Sequence, residues 1–124
     1  MYSIHIDHVD KIIIIELSGF MGKEEVESYA GEVNSLLSQL EAKEYSMYAN
    51  LAKLDPVSQD SLPYLIKASK NAMLNLKKIA SVHKRTVTQM QMRKIETNAN
   101  EGDSIDNKIM RFHSRREAMH YLKN

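Results

Sequence analysis

A run of four isoleucines at residues 12–15, within the stretch IIIIELSG, constrains the fold more than any other feature of this chain. β-Branched residues favour extended strands. A strand with one face in the core and the other in water alternates apolar and polar side chains, whereas a continuous apolar run is typical of a strand covered on both faces. The run therefore predicts an inner strand of a mainly parallel sheet with helices packed on it.

The segments around this run alternate between strand and helix patterns. Residues 2–9 alternate polar and apolar side chains, which predicts an edge strand that forms a hairpin with the isoleucine strand. Periodic apolar residues predict helices at 23–42, 62–76, 86–99 and from Ser114 onwards, and further strands are predicted at 45–51, 78–83 and 108–113. The order β-β-α-β-α-β-α-β-α predicts an α/β fold: a mainly parallel four- to five-stranded sheet with an antiparallel first strand.

Composition narrows the classes of protein to consider. A length of 124 residues suits a single domain over 1–124. The net charge of +1 argues against a dedicated nucleic-acid binder, and the lack of cysteine excludes disulfides, thiolate metal sites and cysteine nucleophiles. The charged N-terminus is unlike a signal peptide, and the longest apolar run is too short to span a bilayer. These features predict a cytoplasmic protein without a membrane span.

Two stretches of the chain carry a family resemblance. IIIIELSGFM leads into the first predicted helix, and NLAKLDPVSQDSL leads into the second. Both resemble the STAS domain, the fold of bacterial anti-sigma-factor antagonists (SpoIIAA-like proteins). The resemblance implies a non-enzymatic regulatory module whose protein partner is an anti-sigma factor or a related kinase-type regulator. The terminal stretch KIMRFHSRREAMHYL is similar to the STAS/SEC14-like branch, which implies, as an alternative, a carrier or sensor of a small apolar or amphiphilic ligand.

The phosphorylation motif of the family is altered in this chain. Where the family has Asp-Ser-Ser-Gly-Leu, this sequence has Ser58-Gln59-Asp60-Ser61-Leu62. The family's phosphorylated serine falls on Gln59, which has no hydroxyl, so the family's switch does not carry over. Ser58 and Ser61 remain as alternative phosphorylation sites, although Ser61 is predicted to cap the second helix.

The loops that follow the parallel strands are predicted to form one surface for a protein partner, because the carboxyl ends of such strands meet at one edge of the sheet. These loops cover residues 19–23, 53–61 and 83–86. The candidate contact residues are Phe20, Met21, Lys23, Lys53, Asp55, Ser58, Gln59, Asp60 and Ser61. The sequence leaves open whether Phe20 and Met21 are exposed contacts or pack under the helices.

Other sites rest on weaker patterns. Basic residues at the same edge predict an anion site made of His83, Lys84, Arg85 and Arg115, with an ordinary solvated surface as the alternative. The histidines lack the spacing of metal ligands, so neither a metal nor another cofactor is predicted. No catalytic residues are predicted, because an enzyme would need His83, His113 and a carboxylate to converge. A ligand carrier would need an enclosed cavity lined by Met, Leu and Phe. The first strand offers an edge for a homodimer.

Overall fold

The computed structural model describes residues 1–83 and 109–124. Within these ranges five strands and three α-helices follow the predicted order. They are β1 (Tyr2–Asp7), β2 (Ile12–Gly19), α1 (Lys23–Gln39), β3 (Ser46–Leu54), α2 (Leu62–Asn75), β4 (Ile79–Val82), β5 (Ile109–Phe112) and α3 (Arg115–Lys123), with a 3₁₀ turn (Gln59–Ser61) before α2. The predicted helix at 86–99, the loop 83–86 beyond His83, and the candidate residues Lys84 and Arg85 lie outside the described residues.

The five strands form one sheet in the order β1-β2-β3-β4-β5. β1 pairs with β2 in antiparallel orientation, and the other three pairs are parallel. One row of neighbours crosses the sheet from Ile4 through Ile15, Ala49 and Ser81 to Arg111. The predicted α/β fold, with an antiparallel first strand at the edge of a mainly parallel sheet, is confirmed. Pairing of a second copy with the β1 edge stays a prediction.

Both faces of the sheet are covered, which explains the continuous isoleucine run. Ile13 and Ile15 are fully buried in the core that α1 and α2 build on one face. Ile12 packs on the opposite face, in a smaller core with Ala118 and Leu122 of α3. The alternation arises because successive side chains of a strand point to opposite faces. Each of these burials contributes about 1.5–3 kcal/mol of transfer free energy, so the run holds both layers to the sheet.

Local contacts set the helix ends. The first turn of α1 carries Glu24 and Glu25, whose carboxylates interact favourably with the unpaired N–H groups of a helix start. The helix ends at Gln39 rather than at the predicted residue 42, because Leu40 has an extended backbone. Before α3, the Ser114 hydroxyl accepts a hydrogen bond from the Glu117 N–H at 3.3 Å, so Ser114 caps this helix where the sequence predicts its start.

The carboxyl ends of the strands meet at one edge of the sheet. β3 continues three residues beyond its predicted end at Leu51, and a register shift between Glu16 and Ser18 gives it one extra residue relative to β2. The shift pairs Gly19 with Leu54, so β2 and β3 finish level. β4 and β5 run in the same direction, so the carboxyl ends of β2, β3, β4 and β5 all lie at this edge.

Candidate functional site

Two loops lie side by side at the carboxyl edge and form a candidate partner-binding surface. The N–H of Asp55, in the β3–α2 loop, donates to the carbonyl of Gly19, in the β2–α1 turn, at 3.1 Å. Val57 is buried in the core and anchors the β3–α2 loop from below. The exposed side chains of these two loops and of the element ends that flank them are here called the loop edge: Phe20, Lys23, Lys53, Pro56, Ser58, Gln59 and Asp60.

The structure separates the two apolar residues of the β2–α1 turn. Gly19 has a φ of +65°, a left-handed conformation that glycine adopts with little strain. Beyond this turn the Phe20 side chain is 69% exposed, whereas Met21 is 1% exposed and belongs to the main core. The prediction of a surface contact at Met21 is therefore wrong, because its side chain is buried in the main core. Phe20 remains a candidate contact.

The two serines of the altered motif have different environments. Ser61 is completely buried, and its hydroxyl lies 3.0 Å from that of Ser58. The predicted capping role of Ser61 is wrong, because its side chain makes no capping hydrogen bond to α2 and pairs with Ser58 instead. Ser58, Gln59 and Asp60 are exposed. The prediction of a partner contact at Ser61 is therefore wrong, because this residue is buried, and of the two serines only Ser58 is exposed to solvent.

The predicted anion site does not assemble from the residues the structure describes. His83 is buried, and burial, together with the positive charge of Arg111, lowers its pKa to about 4, so the imidazole is neutral at pH 7. Arg115 is elsewhere: its guanidinium lies 5.5 Å from the ring centroid of Tyr48, on the face that α3 covers. The prediction that His83 adds positive charge beside Arg115 is therefore wrong, because the two side chains lie on opposite faces of the sheet.

A cavity of about 90 Å³ lies between the sheet and the two helices of the main core. Its walls combine large apolar side chains with unusually many small ones. The small residues are Ala49 of β3, Ser81 of β4, and Ala68, Ser69 and Ala72 of α2. Larger neighbours include Tyr29, Met47, Leu51 and Leu65, and no Phe of the described chain lines the space. The short side chains of these alanines and serines leave room between the sheet and α2.

One polar pair lies in the wall of this cavity. The Nε2 atom of His83 is 2.9 Å from the Ser81 hydroxyl. The other ring nitrogen, Nδ1, is buried and has no hydrogen-bond partner among the described residues. A buried polar atom without a partner is costly, so such atoms are uncommon in folded proteins. Sequence reasoning treated His83 as a surface cation and missed this pair, although Ser81 stands alone as a polar residue in the apolar stretch IASV.

Several chemistries lack support in the part of the chain that is described. His83 bonds to a serine hydroxyl rather than to a carboxylate. Residues 1–83 and 109–124 contain no group of three or more His, Asp or Glu arranged to hold a metal ion. No described helix combines the length and apolar character needed to cross a membrane.

No protein-family model and no curated protein sequence matches this chain. Solved structures do match it along nearly its whole length. A Shewanella loihica protein of the DUF3478 family, with a SpoIIAA-like fold, superposes with a TM-score of 0.72 at 16% identity, covering 98% of this chain and 92% of its own. An anti-sigma factor antagonist from Mycobacterium paratuberculosis gives a TM-score of 0.66 at 8% identity, covering 100% of this chain and 96% of its own.

A third match is the Bacillus cell fate determinant SpoIIAA in its phosphorylated form. Its TM-score is 0.63 at 13% identity, with coverage of 98% of this chain and 99% of that chain. Together with the strand order and the helices on both faces, these matches establish the fold. The chain has the SpoIIAA-like α/β fold of the STAS domain, which is the fold of anti-sigma factor antagonists.

Proposed function

We propose that this protein, as a single domain over residues 1–124, is a non-enzymatic regulatory module that binds a protein partner through its loop edge. The observation that carries the proposal is Phe20, a large aromatic side chain that is 69% exposed on the turn that a hydrogen bond joins to the loop of the exposed polar residues 58–60. Aromatic residues surrounded by polar ones are frequent energetic centres of protein interfaces. The Asp55–Gly19 hydrogen bond holds the two loops together, so little ordering entropy would be lost on binding.

The partner class follows from likeness of fold. Two proteins that share the fold along nearly the whole chain are an anti-sigma factor antagonist and the phosphorylated SpoIIAA. By analogy, the partner proposed here is an anti-sigma factor or a kinase-type regulator. A cytoplasmic location and homodimer formation stay predictions.

Regulation by phosphate has one specific candidate residue in this chain. Gln59 replaces the family's serine, and Ser61 is buried, which leaves Ser58 as the exposed hydroxyl of the motif. A phosphate on Ser58 would add about two negative charges close to Asp60, and it would break the hydrogen bond between the Ser58 and Ser61 hydroxyls. Such a change would disfavour a partner that packs on the loop edge.

The experiment compares three proteins: wild type, Phe20→Ala, and Val9→Ala as a matched control. Val9 is an apolar residue that is 92% exposed in the β1–β2 hairpin, which lies at the opposite end of β2 from the loop edge. Each protein is immobilised and used to capture partners from an extract of the source cells, followed by quantitative mass spectrometry. A captured protein is then purified, and its affinity for each variant is measured by calorimetry.

We expect Phe20→Ala to weaken binding about 30-fold, which corresponds to about 2 kcal/mol for a central aromatic contact, and Val9→Ala to have no effect. Thermal unfolding of both variants checks that they stay folded. Equal binding by wild type and Phe20→Ala, or the recovery of no specific protein, would contradict the proposal.

A further inference from the structure

β1 is the end strand of the sheet, and its free side is unprotected. Among the described strands it pairs only with β2, in an unbroken register from Tyr2 to Asp7. Proteins usually protect such an edge with lysine, proline, a bulge or a very short strand. β1, with the sequence YSIHID, contains neither lysine nor proline and forms no bulge with β2. The Asp7 carboxylate turns back into its own hairpin, where it accepts from the N–H groups of Val9 and Asp10.

The hydrogen bonds to β2 identify the backbone groups that point away from the sheet. The Met1 nitrogen donates to the Ser18 carbonyl at 2.8 Å, and the Ser18 N–H donates to the Met1 carbonyl at 2.8 Å. Such hydrogen-bonded pairs alternate along an antiparallel ladder with pairs that exchange no hydrogen bonds. The N–H and C=O groups of Tyr2, Ile4 and Ile6 therefore point outward, and no turn or loop of the described chain bonds to them.

The side chains of these three residues form an apolar row along the edge. They share one face of the sheet, because alternate residues of a strand point to the same side. Tyr2 and Ile4 pack against the main core, and Ile6 is half-buried. The Tyr2 ring is fixed by an edge-to-face contact with Tyr29, at 5.5 Å between ring centroids, and by a 2.7 Å hydrogen bond from its hydroxyl to Glu32. Little side-chain freedom would therefore be lost if another strand packed here.

The edge is complementary to itself in one register. An antiparallel pairing that centres Ile4 on Ile4 of a second copy uses the outward groups of all three residues in both copies. Tyr2 then lies opposite Ile6 of the second copy, which is a favourable aromatic and β-branched pair. On the other face Ser3 lies opposite His5 of the second copy. Centring the pairing on Ser3 or on His5 instead leaves one outward residue of each copy without a partner.

We propose that this chain forms a two-fold symmetric homodimer through β1 in the Ile4-centred register, so that two five-stranded sheets join into one continuous sheet. Each copy contributes the same strand, which is the isologous arrangement typical of homodimers. Because the two copies run antiparallel, their loop edges lie at opposite ends of the joined sheet. One dimer thus presents two separate partner-binding surfaces, and it forms whether or not a partner is bound.

The first test removes an outward group and leaves the bonds to β2 in place. Ile4→Pro deletes the N–H at the centre of the pairing, and proline is tolerated on an edge strand where the N–H faces away from the sheet. Ile4→Ala is the matched control, because it shortens the same side chain and keeps the N–H. Sedimentation equilibrium of the whole protein over a micromolar concentration series gives each dissociation constant. Circular dichroism checks that each variant is folded.

We expect wild type and Ile4→Ala to dimerise. Ile4→Pro should raise the dissociation constant about 5- to 100-fold relative to Ile4→Ala, because the symmetric pair loses two hydrogen bonds. A wild type that stays monomeric through the series, or equal dissociation constants for the two variants, would overturn the proposal. Phe20→Ala should dimerise as wild type does, which separates this test from that of the partner surface.

The second test reads the register, and it uses the absence of cysteine from the natural sequence. Ser3→Cys and His5→Cys each introduce a single thiol at an exposed position. In the Ile4-centred register these positions face each other as a pair that exchanges no hydrogen bonds. Their Cα atoms are then about 4.5 Å apart, a separation that a disulfide spans. Val9→Cys, in the exposed β1–β2 turn, reports random collisions.

An equimolar mixture of Ser3→Cys and His5→Cys is oxidised, and the disulfide-linked dimers are distinguished by mass. We expect the mixed dimer to exceed its statistical yield, and each variant alone to crosslink no faster than Val9→Cys. A statistical mixture, or faster crosslinking of either variant with itself, would overturn the proposed pairing. This measurement decides the matter even if Ile4→Pro fails to fold.

Discussion

Acid should destabilise this protein through His83. The imidazole is only 4% exposed, and burial and the Arg111 guanidinium of the neighbouring strand lower its pKa from 6.5 to about 4 in the folded state. In the unfolded chain the pKa returns to its ordinary value near 6.5. At a pH between these two pKa values, His83 is protonated in the unfolded state and neutral in the folded state. The contribution of His83 to the free energy of unfolding is therefore complete above pH 6.5 and is lost progressively as the pH falls towards 4.

The size of the effect follows from the same two pKa values. Between pH 7.5 and pH 5.0 the linkage relation gives a loss of about 2 kcal/mol for a fully shielded imidazole. Water that reaches part of the ring reduces this loss, so we expect about 1–2 kcal/mol. This is a substantial fraction of the total stability of a small domain, which is typically about 5–15 kcal/mol.

Urea unfolding measures the effect directly. Free energies of unfolding are determined at pH 7.5 and pH 5.0 for wild type, His83→Gln and His113→Gln. Glutamine at position 83 does not titrate, so this variant should lose about 1–2 kcal/mol less stability than wild type over the interval, whatever its stability at pH 7.5. His113→Gln should retain the wild-type dependence, because its side chain is exposed in the folded protein. The same pH dependence in His83→Gln and wild type would refute the reasoning.

Two further predictions concern the β2–α1 turn, and urea unfolding at neutral pH checks both. Met21→Ala should lower the free energy of unfolding by about 2–5 kcal/mol, because it removes a buried side chain from the core. Phe20→Ala should change it by less than about 0.5 kcal/mol, because the Phe20 side chain is exposed. Similar losses in both variants would contradict the burial described here. Gly19→Ala should lower the free energy of unfolding by about 1–2 kcal/mol, because alanine is strained at the positive φ of this position. Steric overlap adds nothing to this cost, since an added Cβ would meet no atom within 4 Å. An unchanged stability would mean that the turn relaxes without strain.

Much of the fold could be predicted from pattern alone, for a physical reason. The isoleucine run at 12–15 and the regular apolar spacing of α1 and α2 report which sides of each element are buried. Burial on two faces of one strand already requires helices on both sides of a sheet. Boundaries were less accurate, as at the ends of α1 and β3, because backbone geometry and register shifts end these elements and leave no periodic signal.

The candidate site was harder to predict, because chemistry at a site depends on which way each side chain points. Phe20 and Met21 are adjacent and similarly apolar, yet the glycine turn before them sends one to solvent and the other into the core. Ser61 looked like a helix cap, and its hydroxyl pairs with Ser58 instead. These outcomes depend on the backbone course of each turn and on which way its side chains point, neither of which the apolar pattern reports.

The sequence by itself determined the layered α/β architecture and the loop edge, since hydrophobic periodicity fixes the buried face of each element and parallel strands bring their loops together. Only the tertiary structure decided the state of His83. A histidine after a strand reads as a surface cation, but the register of β4 turns its ring into the core, where desolvation keeps it neutral. The cavity likewise depends on alanines and serines from β3, β4 and α2 meeting in space, which no single segment encodes.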